Sequence, residues 1–398
     1  MMWRARSSSV LVVLMVSLVA ASVLLDGAMA DHNTTFVVNV FDQGESGYYC
    51  IKIPALLTTQ NGTLLAFGEG RRNSCGDYTW TDLVLKRSFD GGQTWGALQV
   101  VYSNSSASET NTIGNAAPVQ ERSSGRIVLP FCRNNLLVLV TTSSDNGATW
   151  STPVDISANV TRSGWGWVGT GPPGSVQLSS GRLLTPAYHS YAPHDTDGEV
   201  SHSHAMYSDD GGASWQLGGE LGGAALTNEC QAVQLTNGTL LMNARGLLTY
   251  RLASYSYDDG ASWSTPHKIA GLVEPLEGCE GSTIRHPSTG LLFFSIPNNP
   301  SVLRFNMSVF VSSDEGSSWA LWRVIDTGRS GYSSLAVMPD ESVVLLYERA
   351  NTSGIIFVPQ HISFVPKVWT PSDLARVLDL TRRQRDHRPS SGTITLAP

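Results

Sequence analysis

The 398-residue sequence predicts an all-β chain folded as a six-bladed β-propeller with Asp-box turns, and three observations carry that expectation. The pattern SxDxGx(S/T)W occurs five times, at Ser88–Trp95, Ser143–Trp150, Ser208–Trp215, Ser256–Trp263 and Ser312–Trp319. The Asp residues of these boxes, Asp90, Asp145, Asp210, Asp258 and Asp314, are spaced by 55, 65, 48 and 56, which is the period of a propeller blade. Between the boxes, short apolar runs follow Gly or Asp turns, as at Thr63–Phe67 after Asn61-Gly62 and Thr239–Asn243 after Asn237-Gly238.

Each box has the chemistry of a tight hairpin turn. Its Asp can accept backbone N–H groups, its Gly supplies a positive φ, and its Trp can pack beneath the turn. The boxes are therefore expected to be structural. Residues 31–366 divide into six units of 56, so one unit lacks a box. Residues 367–398 read as a C-terminal tail, with one helical pattern at Pro371–Leu380 and Ser372 as its expected N-cap.

Composition narrows the function classes. Only 15% of the residues are charged, the net charge is −7, and 38 Gly and 11 Trp fit turns and packed aromatic rings rather than long charged helices. The one dense basic run, Arg382, Arg383, Arg385 and Arg388, lies in the tail and reads as a solvated stretch, so nucleic acid is not an expected partner.

The N-terminus carries Arg4 and Arg6, an apolar run over Val10–Leu25 and then Ala28-Met29-Ala30, the layout of a signal peptide over residues 1–30. The apolar run is shorter than the ~20 residues that span a bilayer, and no membrane span is expected after cleavage. Seven NxS/T sequons, at Asn33, Asn61, Asn104, Asn159, Asn237, Asn306 and Asn351, fit a glycoprotein that is secreted or routed to a lysosome-like compartment. Five cysteines are too few for a disulfide-built fold, and Cys50 with Cys75 is a candidate bridge.

A propeller brings one end of every blade to a common axis, so functional residues should be scattered in sequence and sit near strand ends. Several segments outside the boxes have that distribution. They are Ile53-Pro54-Ala55-Leu56, Glu69-Gly70-Arg71-Arg72, the Asp77 loop running into Asp82–Ser88, Asn228-Glu229-Cys230-Gln231, Asn243-Ala244-Arg245, Gly331-Tyr332-Ser333 and Leu346-Tyr347-Glu348. Together they resemble the exo-sialidases (neuraminidases) of the six-bladed Asp-box type, over about residues 45–350.

That resemblance implies a retaining glycoside hydrolase that removes a terminal sialic acid, a sugar whose carboxylate sits on the anomeric carbon, from glycoproteins, glycolipids or oligosaccharides. An anionic nucleophile would be repelled by that carboxylate, and a tyrosine relieved of its proton by a glutamate attacks instead. By resemblance, Tyr332 is the nucleophile, Glu229 its base and Asp77 the acid/base, for which a raised pKa would suit protonation of the leaving oxygen. Asp82 is the competing candidate and reads as structural.

The substrate carboxylate calls for clustered cations, and guanidinium forks suit it best. The resemblance assigns Arg245 and Arg304 to this task and Arg71 to the pocket, with Arg72 as the register alternative. Where the family reads Tyr/Phe-Arg-Ile-Pro, this chain reads Ile51-Lys52-Ile53-Pro54, which puts Lys52 in the anion clamp. A lysine keeps the charge and donates from one point, for a loss of roughly 1.5–3 kcal/mol if one charge-assisted hydrogen bond goes. Glu348 resembles the residue that orients this cation.

Weaker signals remain. Tyr188, His189, Tyr191, His194, His202 and His204 crowd one connection between blades and read as a polar loop bordering the sugar pocket, without metal-site spacing. Trp165 and Trp167 precede Gly171-Pro172-Pro173-Gly174 and resemble a family segment near the sugar ring. No phosphate-binding or cofactor motif occurs, so cofactor-independent and metal-independent hydrolysis is expected. The competing readings are a hydrolase of a related ulosonic acid, a trans-sialidase, and a glycan-binding propeller with impaired turnover.

Overall fold

A computed structural model describes residues 36–191, 200–223, 225–351 and 357–386. The signal-peptide segment, Asn33, His194 and Arg388 lie outside the described residues. The chain is an all-β propeller whose strands meander antiparallel from neighbour to neighbour.

Five hydrogen-bonded sheets follow one another along the chain. The first is built from Cys50–Thr58, Leu64–Arg71, Thr81–Ser88 and Gln99–Tyr102. The second centres on Ile127–Arg133 and Leu137–Ser143, and the third on Leu183–Ser190 and Ser201–Ser208. The fourth comprises Cys230–Gln234, Leu240–Ala244, Tyr250–Ser256 and His267–Val273. The fifth has seven strands and differs from the expected division into six separate units. Its 18-residue strand Ala320–Val337 pairs with Phe305–Ser312 on one side and Val343–Ala350 on the other, so hydrogen bonding runs on without a break. The N-terminal strand Val38–Asp42 is added to this sheet beside the last strand, His361–Trp369. That last strand runs past residue 366, the boundary expected from sequence.

The core lies between sheets, in layers that close a circle. Leu65, Phe67 and Leu85 of the first sheet pack with Ile127, Leu129 and Phe131 of the second. Val128 and Val140 of the second pack with Leu183 and Met206 of the third. Leu184 and Ala205 of the third meet Leu240 and Met242 of the fourth, and Leu241 of the fourth meets Leu292 and Phe294 of the fifth. The fifth returns to the first through Leu346, Ile362 and Phe364 against Leu56, Leu64 and Val84.

The box turns staple these layers. At the first, Ser88 Oγ donates to Asp90 Oδ1 (2.8 Å), Gly92 N–H donates to Ser88 Oγ (2.9 Å) and Thr94 N–H donates to Asp90 Oδ1 (2.9 Å). The other four repeat this arrangement around Asp145, Asp210, Asp258 and Asp314. The Thr94 hydroxyl and N–H pull the Asp90 carboxyl down to about 2. Gly92, Gly147, Gly212, Gly260 and Gly316 all have positive φ and abut a core side chain: Phe364, Leu65, Val128, Leu184 and Leu241 respectively. The box glycine is thus needed for conformation and for close approach together.

The tail begins with a 3-10 turn, Pro371–Asp373, and continues as a helix, Leu374–Asp386. The cap is Thr370, which forms a capping box with Asp373, rather than Ser372. The helix docks through Val377 onto a cluster containing Trp322 and Trp369. Arg382 and Arg383 on its exposed side pair with Asp379. No helix among the described residues is long and apolar enough to cross a membrane.

A Cβ placed on Gly92 comes within 2.7 Å of three ring carbons of Phe364 while the backbone holds φ at +85°. Gly92→Ala is therefore expected to destabilise the fold by about 1–3 kcal/mol. Thermal unfolding checks this: the melting temperature falls, and an unchanged value contradicts the stapling role.

Candidate active site

Antiparallel register decides which residues can meet. Cys50 pairs with Arg71 and Cys230 pairs with Ala244, so the start of one strand and the end of the next share an edge. Lys52 lies near the start of the first sheet's first strand, Arg71 ends its second, and Asp77 sits in the loop that follows. Glu229 immediately precedes Cys230–Gln234, Arg245 immediately follows Leu240–Ala244, and Arg304 immediately precedes Phe305–Ser312. Tyr332 lies within the long strand. All seven line one cavity of about 630 Å³, and none of the box residues does.

The centre of the cavity is a three-residue contact. The Tyr332 hydroxyl donates a short hydrogen bond to Glu229 Oε1. Arg245 Nη1 donates to Glu229 Oε2 (3.0 Å) and lies 3.4 Å from the Tyr332 oxygen. Burial, then the charge of Glu229, pushes the Tyr332 phenol well above its ordinary pKa, while Arg245 and Arg304 act in the opposite direction. The phenol is therefore protonated at rest, with an acceptor for its proton already in contact.

One turn holds two of the arginines. Arg245 Nε donates to the Glu277 carbonyl (2.9 Å) and Arg304 Nη2 to the Gly278 carbonyl (3.2 Å), in a turn where both residues have positive φ. The Arg304 guanidinium stands 5.4 Å from the centroid of the Tyr332 ring. A fully buried ion pair supports the turn from below: Arg251 meets Glu274 at 3.1 Å and also donates to the Cys279 carbonyl (2.6 Å). Among the described residues, neither Lys52 nor Arg304 has a carboxylate within ion-pair distance, so both charges are available to an anion.

The acidic side of the cavity is arranged differently. Arg71 is clamped between Glu69 (2.6 Å) and Asp77 (2.5 Å), and Glu69 also accepts the Asn115 N–H (2.9 Å). The Asp77 side chain is 62% exposed on its loop. Desolvation acts to raise its pKa, but the positive charges of Arg71, Lys52 and Arg304 outweigh this and hold it below the usual carboxylate range. In the free protein these three cations thus act against the raised value that would suit protonation of the leaving oxygen. Asp82 is elsewhere: buried, it accepts hydrogen bonds from Tyr48, Trp80, Ser103 and Arg72. This also separates Arg71, in the cavity, from Arg72, outside it.

Glu348 makes no ion pair with Lys52 among the described residues and acts on the backbone beside it. Its Oε1 accepts the backbone N–H of Ile53 (2.8 Å) and its Oε2 that of Tyr332 (3.2 Å). Ile53 has φ +55°, a conformation costing a β-branched residue of order 1–3 kcal/mol, at the point where pairing between the first two strands skips. Glu348 thereby fixes the bulge that presents Lys52 and anchors the backbone of Tyr332. Cys50 and Cys75 are disulfide-bonded, two residues before Lys52 and Asp77 respectively, and tie those side chains' segments together. Cys132, Cys230 and Cys279 are free and buried.

Sequence reasoning placed the histidines on a loop, but His189, His202 and His204 lie on paired strands. His189 Nδ1 meets His204 Nδ1 at 3.1 Å, and Trp165 stacks on His189 with ring centroids 3.7 Å apart. Among the described residues no three His, Cys, Asp or Glu side chains are grouped to hold a metal ion. Trp167 and Tyr188 line the cavity, Trp165 does not, and Tyr191 is exposed. Sequence reasoning missed Arg329, Asn115, Glu277 and Phe357 in the cavity wall. Arg329 alone carried a signal, three residues before Tyr332.

A family model described as "BNR repeat-like domain" matches residues 56–345, and the chain belongs to that family. It is similar to Sialidase-4 of Mus musculus, 32% identical over 305 residues that cover 68% of this chain and 63% of that protein. It is also similar to a sialidase of Bacteroides fragilis (strain YCH46), 26% identical over 346 residues that cover 78% of this chain and 62% of that protein. The chain thus spans a little under two thirds of the length of these relatives. Among solved structures, the Hadza microbial sialidase Hz136 matches with a TM-score of 0.73 at 25% identity, covering 83% of this chain and 68% of that one.

The disulfide closes a segment of 25 residues. Replacing both Cys50 and Cys75 by Ser is expected to cost about 2–4 kcal/mol of stability and to open the Asn73–Asp77 loop to limited proteolysis. Unchanged melting temperature and protection contradict the tethering role.

Proposed function

We propose that the protein is a retaining exo-α-sialidase that hydrolyses terminal sialic acid from glycoproteins, glycolipids or oligosaccharides. The observation that carries this reading is the Tyr332 hydroxyl donating to Glu229 in a cavity that also presents Lys52, Arg245 and Arg304. Lys52, Arg245 and Arg304 receive the substrate carboxylate, and Arg71 holds Asp77 in place at the other side of the sugar.

The Tyr332 oxygen attacks the anomeric carbon as its proton passes to Glu229 Oε1, and Asp77 protonates the departing glycosidic oxygen. A tyrosyl glycoside results. Asp77, now a carboxylate, takes a proton from water, whose oxygen attacks the same carbon. Tyr332 leaves and recovers its proton from Glu229. Two displacements at one carbon retain its configuration. The low pKa of free Asp77 suits the second step. For the first, the bound carboxylate offsets the charges of Lys52 and Arg304, two of the three cations that depress Asp77, and its proton affinity rises on binding. Asp77, Glu229 and Tyr332 stand in the cavity together with Lys52, which supports turnover over a merely glycan-binding role.

We also count six blades, taking the seven-stranded sheet as two blades joined through Ala320–Val337, with the strand Val38–Asp42 closing the ring. Residues 1–30 are read as a signal peptide and the protein as secreted or lysosome-like. The exposed sequon residues Asn61, Asn104, Asn159, Asn237 and Asn351 support that route.

Kinetics with two substrates test the roles. Glu229→Gln and Asp77→Ala are expected to lower kcat by about 10²–10⁴-fold, and Tyr332→Phe by at least as much. Asp77→Ala should hurt sialyllactose, which needs protonation of its leaving group, far more than an aryl sialoside, which does not. NMR of the first-formed product should show retained configuration. Wild-type activity equal to that of the three variants, or an inverted product, sinks the reading.

A further inference from the structure

A buried carboxyl holds the backbone next to Tyr332, and the proposed reaction gives it no task. Pairing of the strand Ala320–Val337 with Val343–Ala350 skips between Ser330 and Ser333, so the ladder is interrupted at Tyr332. Side chains take over there. Glu348 Oε2 accepts the Tyr332 N–H (3.2 Å), Glu280 Oε2 accepts the Ser333 N–H (2.8 Å) and Ser282 Oγ accepts the Leu335 N–H (2.9 Å). Glu280 follows directly on the turn whose carbonyls, at Glu277 and Gly278, hold Arg245 and Arg304. Cys279, between that turn and Glu280, packs with Tyr332 and Ile53. One segment therefore positions two arginines of the cavity and the residue after the nucleophile.

Glu280 is 1% exposed, and its Oε1 is buried without a hydrogen-bond partner among the described residues. No cation there forms an ion pair with it: Arg251, whose charge it feels, is committed to Glu274 and to the Cys279 carbonyl. Its other charged neighbours are the carboxylates of Glu229 and Glu348, while Cys279 and Tyr332 are kept neutral by burial. Burial, reinforced by Glu229 and Glu348, raises the Glu280 carboxyl well above its ordinary value against the opposing Ser333 N–H and Arg251. Ionising it would leave an unpaired buried charge near two others, in a site that receives an anion. We propose that Glu280 is a positioning residue that works as a neutral carboxylic acid: it fixes the backbone beside Tyr332, and its proton spares Glu229 and the bound sugar carboxylate a further negative charge. The proposal rests on the sialidase reading and concerns how that site holds its nucleophile.

The experiment combines infrared spectroscopy with steady-state kinetics on sialyllactose, and records a melting temperature for every variant. In the difference spectrum between wild type and Glu280→Gln near neutral pH, where ordinary carboxylates are ionised, wild type should show the C=O band of a protonated carboxylic acid, shifted in D2O. Glu280→Gln keeps an acceptor for the Ser333 N–H and carries no charge, so its kcat and KM should stay within about threefold of wild type. Glu280→Met removes the acceptor at similar length. Its kcat should fall about 10- to 100-fold, the cost of displacing a reacting group by about 1 Å, with KM within about threefold. If Glu280→Met loses its fold, Glu280→Asp, one methylene shorter, takes its place and should show the same fall. Absence of the acid band, or a loss of about tenfold or more in kcat for Glu280→Gln, overturns the neutral role. A folded Glu280→Met or Glu280→Asp with wild-type kcat, or with the loss in KM alone, overturns the positioning role, while the sialidase reading stands. Wild-type protein that hydrolyses no sialoside overturns the parent reading, and the assignment falls with it whatever the infrared band shows.

Discussion

The hydrogen bond from Tyr332 to Glu229 joins side chains 103 residues apart, and the rest of the site is arranged around it. Neither residue could reach the other without the ring. Glu229 immediately precedes the first strand of the fourth sheet, and Tyr332 lies on the long strand of the fifth. The layer of Leu241, Ile269, Leu292 and Phe294 holds those sheets in contact. Glu348 then fixes the backbone at Tyr332, and Arg245 fixes the far oxygen of Glu229. A buried tyrosine with a raised pKa is a poor nucleophile alone, and an acceptor in contact removes the need to form free phenolate in water.

Charge in the cavity is divided by function. Arg245 and Arg71 are paired with carboxylates and so serve geometry as much as attraction. Lys52 and Arg304 are not paired within the described residues, and they also depress the pKa of Asp77. An anion bound by these two cations therefore changes the proton affinity of a group it need not touch. In the proposed reaction, binding and acid catalysis are thereby linked through the same two charges. The Cys50–Cys75 bridge keeps Lys52 and Asp77 on a common tether, which maintains the distance over which that linkage acts.

Much of this was legible in the sequence, for identifiable reasons. The boxes were readable because a turn with positive φ, an Asp acceptor and a packed Trp admits few residue types. Asp77, Glu229, Arg245, Arg304 and Tyr332 were readable through motif context, and the structure brings them into one cavity. The role of Glu348 was not, because a carboxylate that accepts two backbone N–H groups from distant strands looks in sequence like one that pairs with a cation. The lowered pKa of Asp77 was not legible, since its direction depends on Arg71, Lys52 and Arg304, which no local pattern links to it. The histidines were misplaced because His189 and His204 face one another across paired strands, while the loop between them suggested otherwise.

The most direct measurement is covalent trapping. A fluorinated sialic acid with a good leaving group slows the second displacement and lets the first accumulate. Intact-protein mass spectrometry followed by peptide mapping should show one added glycosyl group, located on the peptide containing Tyr332 and absent from Tyr332→Phe. An adduct on another residue, or steady sialoside hydrolysis with no adduct formed, contradicts the account.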